Sequence, residues 1–259
     1  MKINSLVLRA PGTNCHQETA EAIRRAGGEA EIWPLQKLLD DPSKLLDFQF
    51  FVLPGGFSYG DDISGGKVFG NALLYLLQEW IDKLRQRGGL ILGICNGFQV
   101  LIKCGLLPFP DEDTQRVTLT DNDSARFECR WVSLDIDSGS PCIFTQGLEG
   151  KLDVPVAHGE GKVFWTDEKT GQSLIEKNLA VFKYHVPESA GEVFPHNPNG
   201  SLKDVAGLCD PSGQILGLMP HPERHQFPWQ HPAWTSADES PRIQGLDIFK
   251  KAVQALRKA

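Results

Sequence analysis

Leu90-Ile91-Leu92-Gly93-Ile94-Cys95-Asn96-Gly97-Phe98-Gln99 reads as a strand, a turn and the start of a helix within ten residues. Its opening run is apolar on every residue, the pattern of a strand buried on both faces of a sheet. Glycines on either side of Ile94-Cys95-Asn96 allow a tight strand-to-helix turn that presents residue 95 at the carboxyl edge of that sheet. A sulfur there sits at a helix N-terminus, where free N–H groups and the helix dipole favour thiolate over thiol. The Asn96 N–H points to where an oxyanion would form. A buried cysteine between two glycines has the same spacing, so the turn alone does not decide for chemistry.

Outward from this turn the chain alternates strands and helices. Ile3–Leu8 is a short apolar run ending in Pro11-Gly12-Thr13-Asn14, and Thr13 or Asn14 is positioned to cap a helix running to about Arg25. Glu29–Trp33 and Phe50–Leu53 read as further strands, the latter cut off by Pro54-Gly55-Gly56. Leu73, Leu76, Leu77, Trp80, Ile81 and Leu84 form one stripe of a 3.6-residue period, and Phe98–Leu107 forms a second helical stretch. This order predicts an α/β fold with a mostly parallel sheet covered by helices on both faces. After about residue 115, Phe127–Ile136, Leu152–Ala157, Ala180–Tyr184, Val205–Cys209 and Ile215–Met219 read as strands between turn clusters, expected to join the sheet antiparallel. Leu246, Phe249, Val253 and Leu256 mark a final helix, and the aromatic loop before it is expected to pack down. With no repeat, low-complexity tract or linker in view, the expectation is a single domain over 1–259.

Composition narrows the function classes. Acidic residues outnumber basic ones, 33 to 26, with no basic run, which leaves no footprint for nucleic acid or an anionic membrane surface. No stretch reaches the ~18 apolar residues of a membrane span, and the N-terminal apolar run is too short for a signal peptide. The six cysteines are scattered without CxxC pairs, so they are expected to be reduced in a cytoplasmic protein.

A thiol nucleophile needs a base, and the base needs a group that fixes its tautomer. Of seven histidines, His221 stands out. It follows the apolar run Ile215–Met219 in a proline-stiffened bend, Pro220-His221-Pro222-Glu223, with a carboxylate two residues on. His158, in Ala157-His158-Gly159-Glu160-Gly161, is a rival base with a similar setting. No histidine shows metal-ligand spacing with the cysteines, so no metal site is expected. The second glycine turn, Pro54-Gly55-Gly56-Phe57, ends a strand near the same edge and offers N–H groups for the other half of an oxyanion hole.

With these residues in view, the chain resembles the class I glutamine amidotransferases, and within them the glutaminase branch of phosphoribosylformylglycinamidine synthase. The resemblance is carried by PGGFSYGD (54–61), GICNGFQ (93–99), the Asn122–Phe127 segment, AHGEGK (157–162), NPNGS (197–201) and MPHPER (219–224), in order over most of residues 5–225. It implies Cys95, His221 and Glu223 as catalytic triad and oxyanion donors from Gly56 and Asn96. It also implies a glutamine site drawn from Gly55, Gly56, Phe57, Asn96, Gln99, Asn122, Ser124 and Phe127, with His158 an accessory or interface residue. It further implies a synthase partner holding ATP and Mg²⁺, a small accessory subunit, and no cofactor on this chain, in which no G-x-x-x-x-G-K-[ST] occurs. An amidotransferase serving another acceptor and a non-catalytic partner-binding subunit are the competing readings. Two departures stand out: Asp62-Ile63-Ser64-Gly65-Gly66 replaces the usual Tyr-Leu-Arg-Ala-Gly, putting Ser64 where a basic residue is expected, and Gln226–Ser240 is longer and more aromatic than usual.

Overall fold

The computed structural model describes residues 2–112, 114–235 and 243–258. Four apolar runs become adjacent parallel strands: β1 (Asn4–Arg9), β3 (Phe50–Leu53), β4 (Leu90–Ile94) and, from far along the chain, β11 (Ile215–Leu218). Every residue of β3, β4 and β11 is buried, as the continuous apolar pattern requires. β2 (Glu29–Pro34) adds a parallel edge strand beside β1. The second half of the chain continues the same sheet antiparallel through β10 (Val205–Cys209), β9 (Phe182–Tyr184), β6 (Glu128–Ile136) and β7 (Lys151–His158). The full order is β2-β1-β3-β4-β11-β10-β9-β6-β7. A separate antiparallel pair, β5 (Val117–Asp121) with β8 (Glu160–Trp165), stands beside it.

Crossovers between parallel strands are right-handed, and here they leave the sheet centre in opposite directions. β1 steps outward to β2 through α1 (His16–Arg25), whereas β3 steps the other way to β4 through α3 (Lys67–Ala72) and α4 (Gln78–Gln86). That rule puts α1 on one face and α3–α4 on the other. α1 packs with α7 (Gly245–Lys258), and α3 packs with α5 (Asn96–Lys103). The switch point between β1 and β3 is where α/β sheets form sites at the carboxyl ends of their strands. The segments that follow β1, β3, β4 and β11 leave the sheet side by side at this edge.

Several local expectations change. Neither Thr13 nor Asn14 caps α1. Cys15 occupies the capping position without a side-chain bond to the helix, while Thr13 Oγ1 accepts the Ala10 N–H and Asn14 Oδ1 accepts the Cys15 S–H. The Leu73–Leu84 stripe is broken by a π-helical turn over Leu73–Leu77. Its extra residue keeps Leu73, Leu77, Ile81 and Leu84 buried but rotates Leu76 out to solvent. The helix expected to reach Leu107 ends at Lys103, because Gly105 turns the chain with φ +78. The pair β5–β8, the short helix α2 (Leu35–Asp40) and α6 (Glu168–Glu176), capped by Asp167 on Thr170 N–H, carry patterns too brief for periodicity alone.

The aromatic segment packs down only in part: His225, Gln226 and His231 do, whereas Trp229 and Trp234 stay exposed, and residues 236–240 of the expected loop lie outside the described residues. Gln226 donates to the Glu18 and Glu223 carbonyls, His225 and His231 pack edge-on against Trp131, and Arg25 covers the Phe227 ring. Among the described residues no helix is long and apolar enough to cross a membrane. All six cysteines are free thiols, and only Cys129 is exposed.

Candidate active site

β4 and β11 are neighbours in register, Ile94 opposite Leu218, so the residues that follow them arrive at the edge together. The Cys95 N–H donates to Leu218 O at 2.8 Å, tying the nucleophile turn to the strand that delivers His221. Cys95 itself is held at φ 52, ψ −107, a conformation a β-carbon disfavours and one that persists only where surroundings impose it. The cause is the helix start. A β-carbon on Gly97 would fall 1.9 Å from Leu53 O, so α5 closes onto β3 with no side chain between them. Cys95 is 5% exposed, and it lines a cavity of about 230 Å³ with Gly56, Phe57, Asp61, Phe127 and Glu160.

His221 N–H is fixed by Pro155 O at 2.8 Å, and its Nδ1 meets Glu223 Oε1 at 2.6 Å with both side chains buried. Burial by itself would favour the neutral ring, but the Glu223 carboxylate, then Cys95 and Cys15, outweigh it and raise the His221 pKa well above its ordinary value. Its Nε2 has no hydrogen bond within the protein, and the sulfurs of Cys95 and Cys15 both act on the ring. Gly55 explains how they fit so closely: a β-carbon there would lie 2.8 Å from His221 Cε1, 3.1 Å from Cys15 Sγ and 3.4 Å from Cys95 Cβ.

The turn after β3 is pinned to the turn after β1. Asn14 and Cys15 N–H groups donate to Gly55 O, and Phe57 N–H donates to Gly12 O. The Phe57 amide is therefore spent. Among the described residues the amides of Gly56 and Asn96 have no acceptor within the protein, which leaves them free for a developing oxyanion. The Asn96 side chain ties the same loop down: its Oδ1 accepts Ser58 N–H at 3.1 Å while its Nδ2 donates to Asp61 at 2.9 Å and Gln99 at 2.8 Å.

The expected glutamine-contacting residues divide. Gly56, Phe57, Gln99 and Phe127 line the cavity, with the Phe57 and Phe127 rings 6.2 Å apart at its exposed side. Gln99 has both ends of its amide committed, to Asn96 and to Glu160 O. Asn122 and Ser124 do not line it. Asn122 donates to Arg126 O and His158 O and accepts from Gly161 N–H and His158 Nδ1, so its hydrogen-bonding capacity is spent on the loop. Ser124 donates to Glu128. The Asn122 orientation makes His158 Nδ1 the protonated nitrogen, and burial pushes the pKa of His158 down to about 4, so the ring is neutral. His158 lines the same cavity as Cys95, and its ring is oriented by the Asn122 amide where that of His221 is oriented by a carboxylate.

Spacing pointed to neither Cys15 nor Asp61. Cys15 Sγ accepts from Arg224 at 3.0 Å. Cys15, His221 and Glu223 have donor atoms within 4.8 Å of one another, a set no sequence spacing disclosed. The Nδ1 of the ring is spent on Glu223, however, and the Arg224 guanidinium beside the sulfur opposes a second cation. The signal available for Cys15 was its place after β1, at the same sheet edge.

Comparison with known proteins gives the family and the fold. The family model for CobB/CobQ-like glutamine amidotransferase domains matches residues 2–255. Phosphoribosylformylglycinamidine synthase subunit PurQ of Dehalococcoides mccartyi is 46% identical over 257 residues, covering 99% of this chain and 98% of that one. The same subunit of Methanococcus maripaludis is 40% identical over 98% of this chain and 97% of its own. Among solved structures, PurLQS from Thermotoga maritima superposes with a TM-score of 0.74 at 32% identity, covering 99% of this chain and all of that one. A glutamine amidotransferase from Thermotoga maritima, 17% identical with a TM-score of 0.53 and covering 97% of that chain, shares the fold. The chain belongs to the CobB/CobQ-like glutamine amidotransferase family, in the branch of the PurQ subunits of phosphoribosylformylglycinamidine synthase.

Proposed function

We propose that this glutaminase works through Cys95 as nucleophile, His221 as proton carrier and Glu223 as the group that orients and charges His221. The supporting observation is the buried His221–Glu223 bond at the same sheet edge as a sulfur held on a strained helix-entry turn. The thiolate adds to the γ-carboxamide carbon of glutamine, and the resulting O⁻ takes hydrogen bonds from the Gly56 and Asn96 amides. The His221 imidazolium gives its Nε2 proton to the amide nitrogen, the C–N bond breaks, and ammonia leaves behind a γ-glutamyl thioester. Water then attacks the thioester carbon and passes a proton to His221, and the C–S bond breaks to release glutamate and restore the thiolate.

Ammonia set free in water would be protonated, so the product has to pass directly to an acceptor. A synthase partner that binds ATP and Mg²⁺ and forms the formylglycinamidine ribonucleotide, with a small accessory subunit, suits that need in the cytoplasm. On this reading glutamine is the only substrate this chain itself binds.

The test is alkylation by a glutamine-like electrophile followed by peptide mapping, alongside glutamate release. Cys95→Ala should lose both, while Cys15→Ala should keep the label and hydrolyse glutamine within about tenfold of the parent chain. Label surviving in Cys95→Ala on Cys15 would reassign the nucleophile.

A further inference from the structure

The cavity in front of Cys95 carries one sign of charge. Asp61, Glu160 and the more exposed Asp121 line it, and no lysine or arginine does. Its one histidine, His158, is neutral. Among the described residues neither Asp61 nor Glu160 makes a salt bridge; Lys103 feels Glu160 through space but donates to Thr118. Burial, together with repulsion from Glu160, raises Asp61 to about 6.

That arrangement is built. Asp61 lies in a stretch of left-handed backbone, Tyr59 at φ 55, Gly60 at φ 73 and Asp61 at φ 53, with two non-glycine residues held where a side chain disfavours it. Asn96 Nδ2 donates to Asp61 Oδ1, Gly65 N–H donates to Glu160 Oε2, and Gln99 Nε2 holds Glu160 O. Through Asn96, the residue next to Cys95, the carboxylate is fixed relative to the nucleophile turn.

We infer that Asp61, assisted by Glu160, forms the subsite for the α-ammonium of glutamine. The inference rests on the glutaminase reading above. Once the γ-carboxamide carbon lies at Cys95, the ammonium is the one cationic group on the substrate, and a like-charged pair of carboxylates is relieved by a cation between them. The subsite selects α-amino acid amides over simple carboxamides, and it keeps the cation apart from His221, which already carries positive charge.

The experiment compares glutamine with glutaramate, the same γ-amide lacking the amino group, on the full chain assembled with its synthase subunit. Asp61→Asn keeps an oxygen for Asn96 and removes only the charge. The preference of the parent enzyme for glutamine over glutaramate in kcat/KM should fall on the order of 10- to 100-fold in Asp61→Asn, the loss of a charge-assisted bond. Nearly all of that change should come from glutamine, and Glu160→Gln should shift the ratio the same way by less. Alkylation of Cys95 by iodoacetamide, a neutral reagent without an ammonium, should be unchanged and certifies an intact site. An unchanged preference with iodoacetamide labelling intact would overturn the subsite while leaving the triad standing. Loss of labelling at Cys95 in the parent chain would instead overturn the glutaminase reading itself.

Discussion

His221 Nδ1 and Glu223 Oε1 lie 2.6 Å apart with both side chains removed from solvent. The pair therefore fixes both the tautomer and the charge of the ring. Glu223→Gln keeps the shape and removes the charge. We expect kcat for glutamate release to drop by about 10³–10⁴ with little change in KM, by analogy with the loss of the orienting carboxylate in other triads. A loss under tenfold would remove Glu223 from the mechanism.

The same pair sets a pH limit. His221 is raised well above its ordinary value, so the imidazolium proposed to protonate the leaving nitrogen survives through neutral pH. The alkaline limb of kcat/KM is expected well above pH 6.5, moving toward it in Glu223→Gln. For stability the sign follows from a folded pKa above the unfolded one. The contribution is complete below about pH 6.5 and is lost as pH climbs through the raised folded value. Urea unfolding at several pH values, compared with His221→Gln, reads this out.

His158 has the opposite sign. Its folded pKa is lowered to about 4, so the unfolded chain takes up a proton before the folded one does. Stability tied to this ring is complete above pH 6.5 and declines as pH falls from there toward 4, by up to roughly 3 kcal/mol. In His158→Gln the difference in urea midpoint between pH 7.5 and pH 5 should shrink. An undiminished difference would mean that the ring is not held neutral.

Gly55→Ala tests the crowding at the centre of the site. A methyl group 2.8 Å from His221 Cε1 has to displace the imidazole or the Cys15 sulfur. Misplacement on that scale costs about 10² in rate, so glutamate release should fall by at least that much while the melting temperature moves little.

Asn96→Ala separates the side chain of residue 96 from its amide. The amide proposed as oxyanion donor stays, but the bonds to Ser58, Asp61 and Gln99 disappear. Unfolding free energy should fall by roughly 1–3 kcal/mol, with the loss in kcat smaller than in Glu223→Gln. A larger loss in kcat than in Glu223→Gln would assign the side chain a direct part in the chemistry.

The one-dimensional pattern by itself settled the parallel strands of the first hundred residues, since fully buried strands have to be apolar on every residue, as Phe50–Leu53 and Leu90–Leu92 are, whereas Ile215–Leu218, expected antiparallel, pairs parallel with β4. It also singled out Cys95, because a turn from strand into helix around an exposed side chain needs glycine on both sides, and His221 with Glu223, because a proline-stiffened bend after an apolar run confines both to one place. Such constraints act between residues close in the chain. Tertiary structure alone decided what crosses large separations: Cys15 arriving beside His221 from β1, Asp61 facing Glu160 across the cavity, and Asn122 closing hydrogen bonds on His158 and Gly161. Those meetings depend on strand order and on which polar groups are left to satisfy once the sheet is assembled, and neither leaves a periodicity or spacing in the chain to be read beforehand.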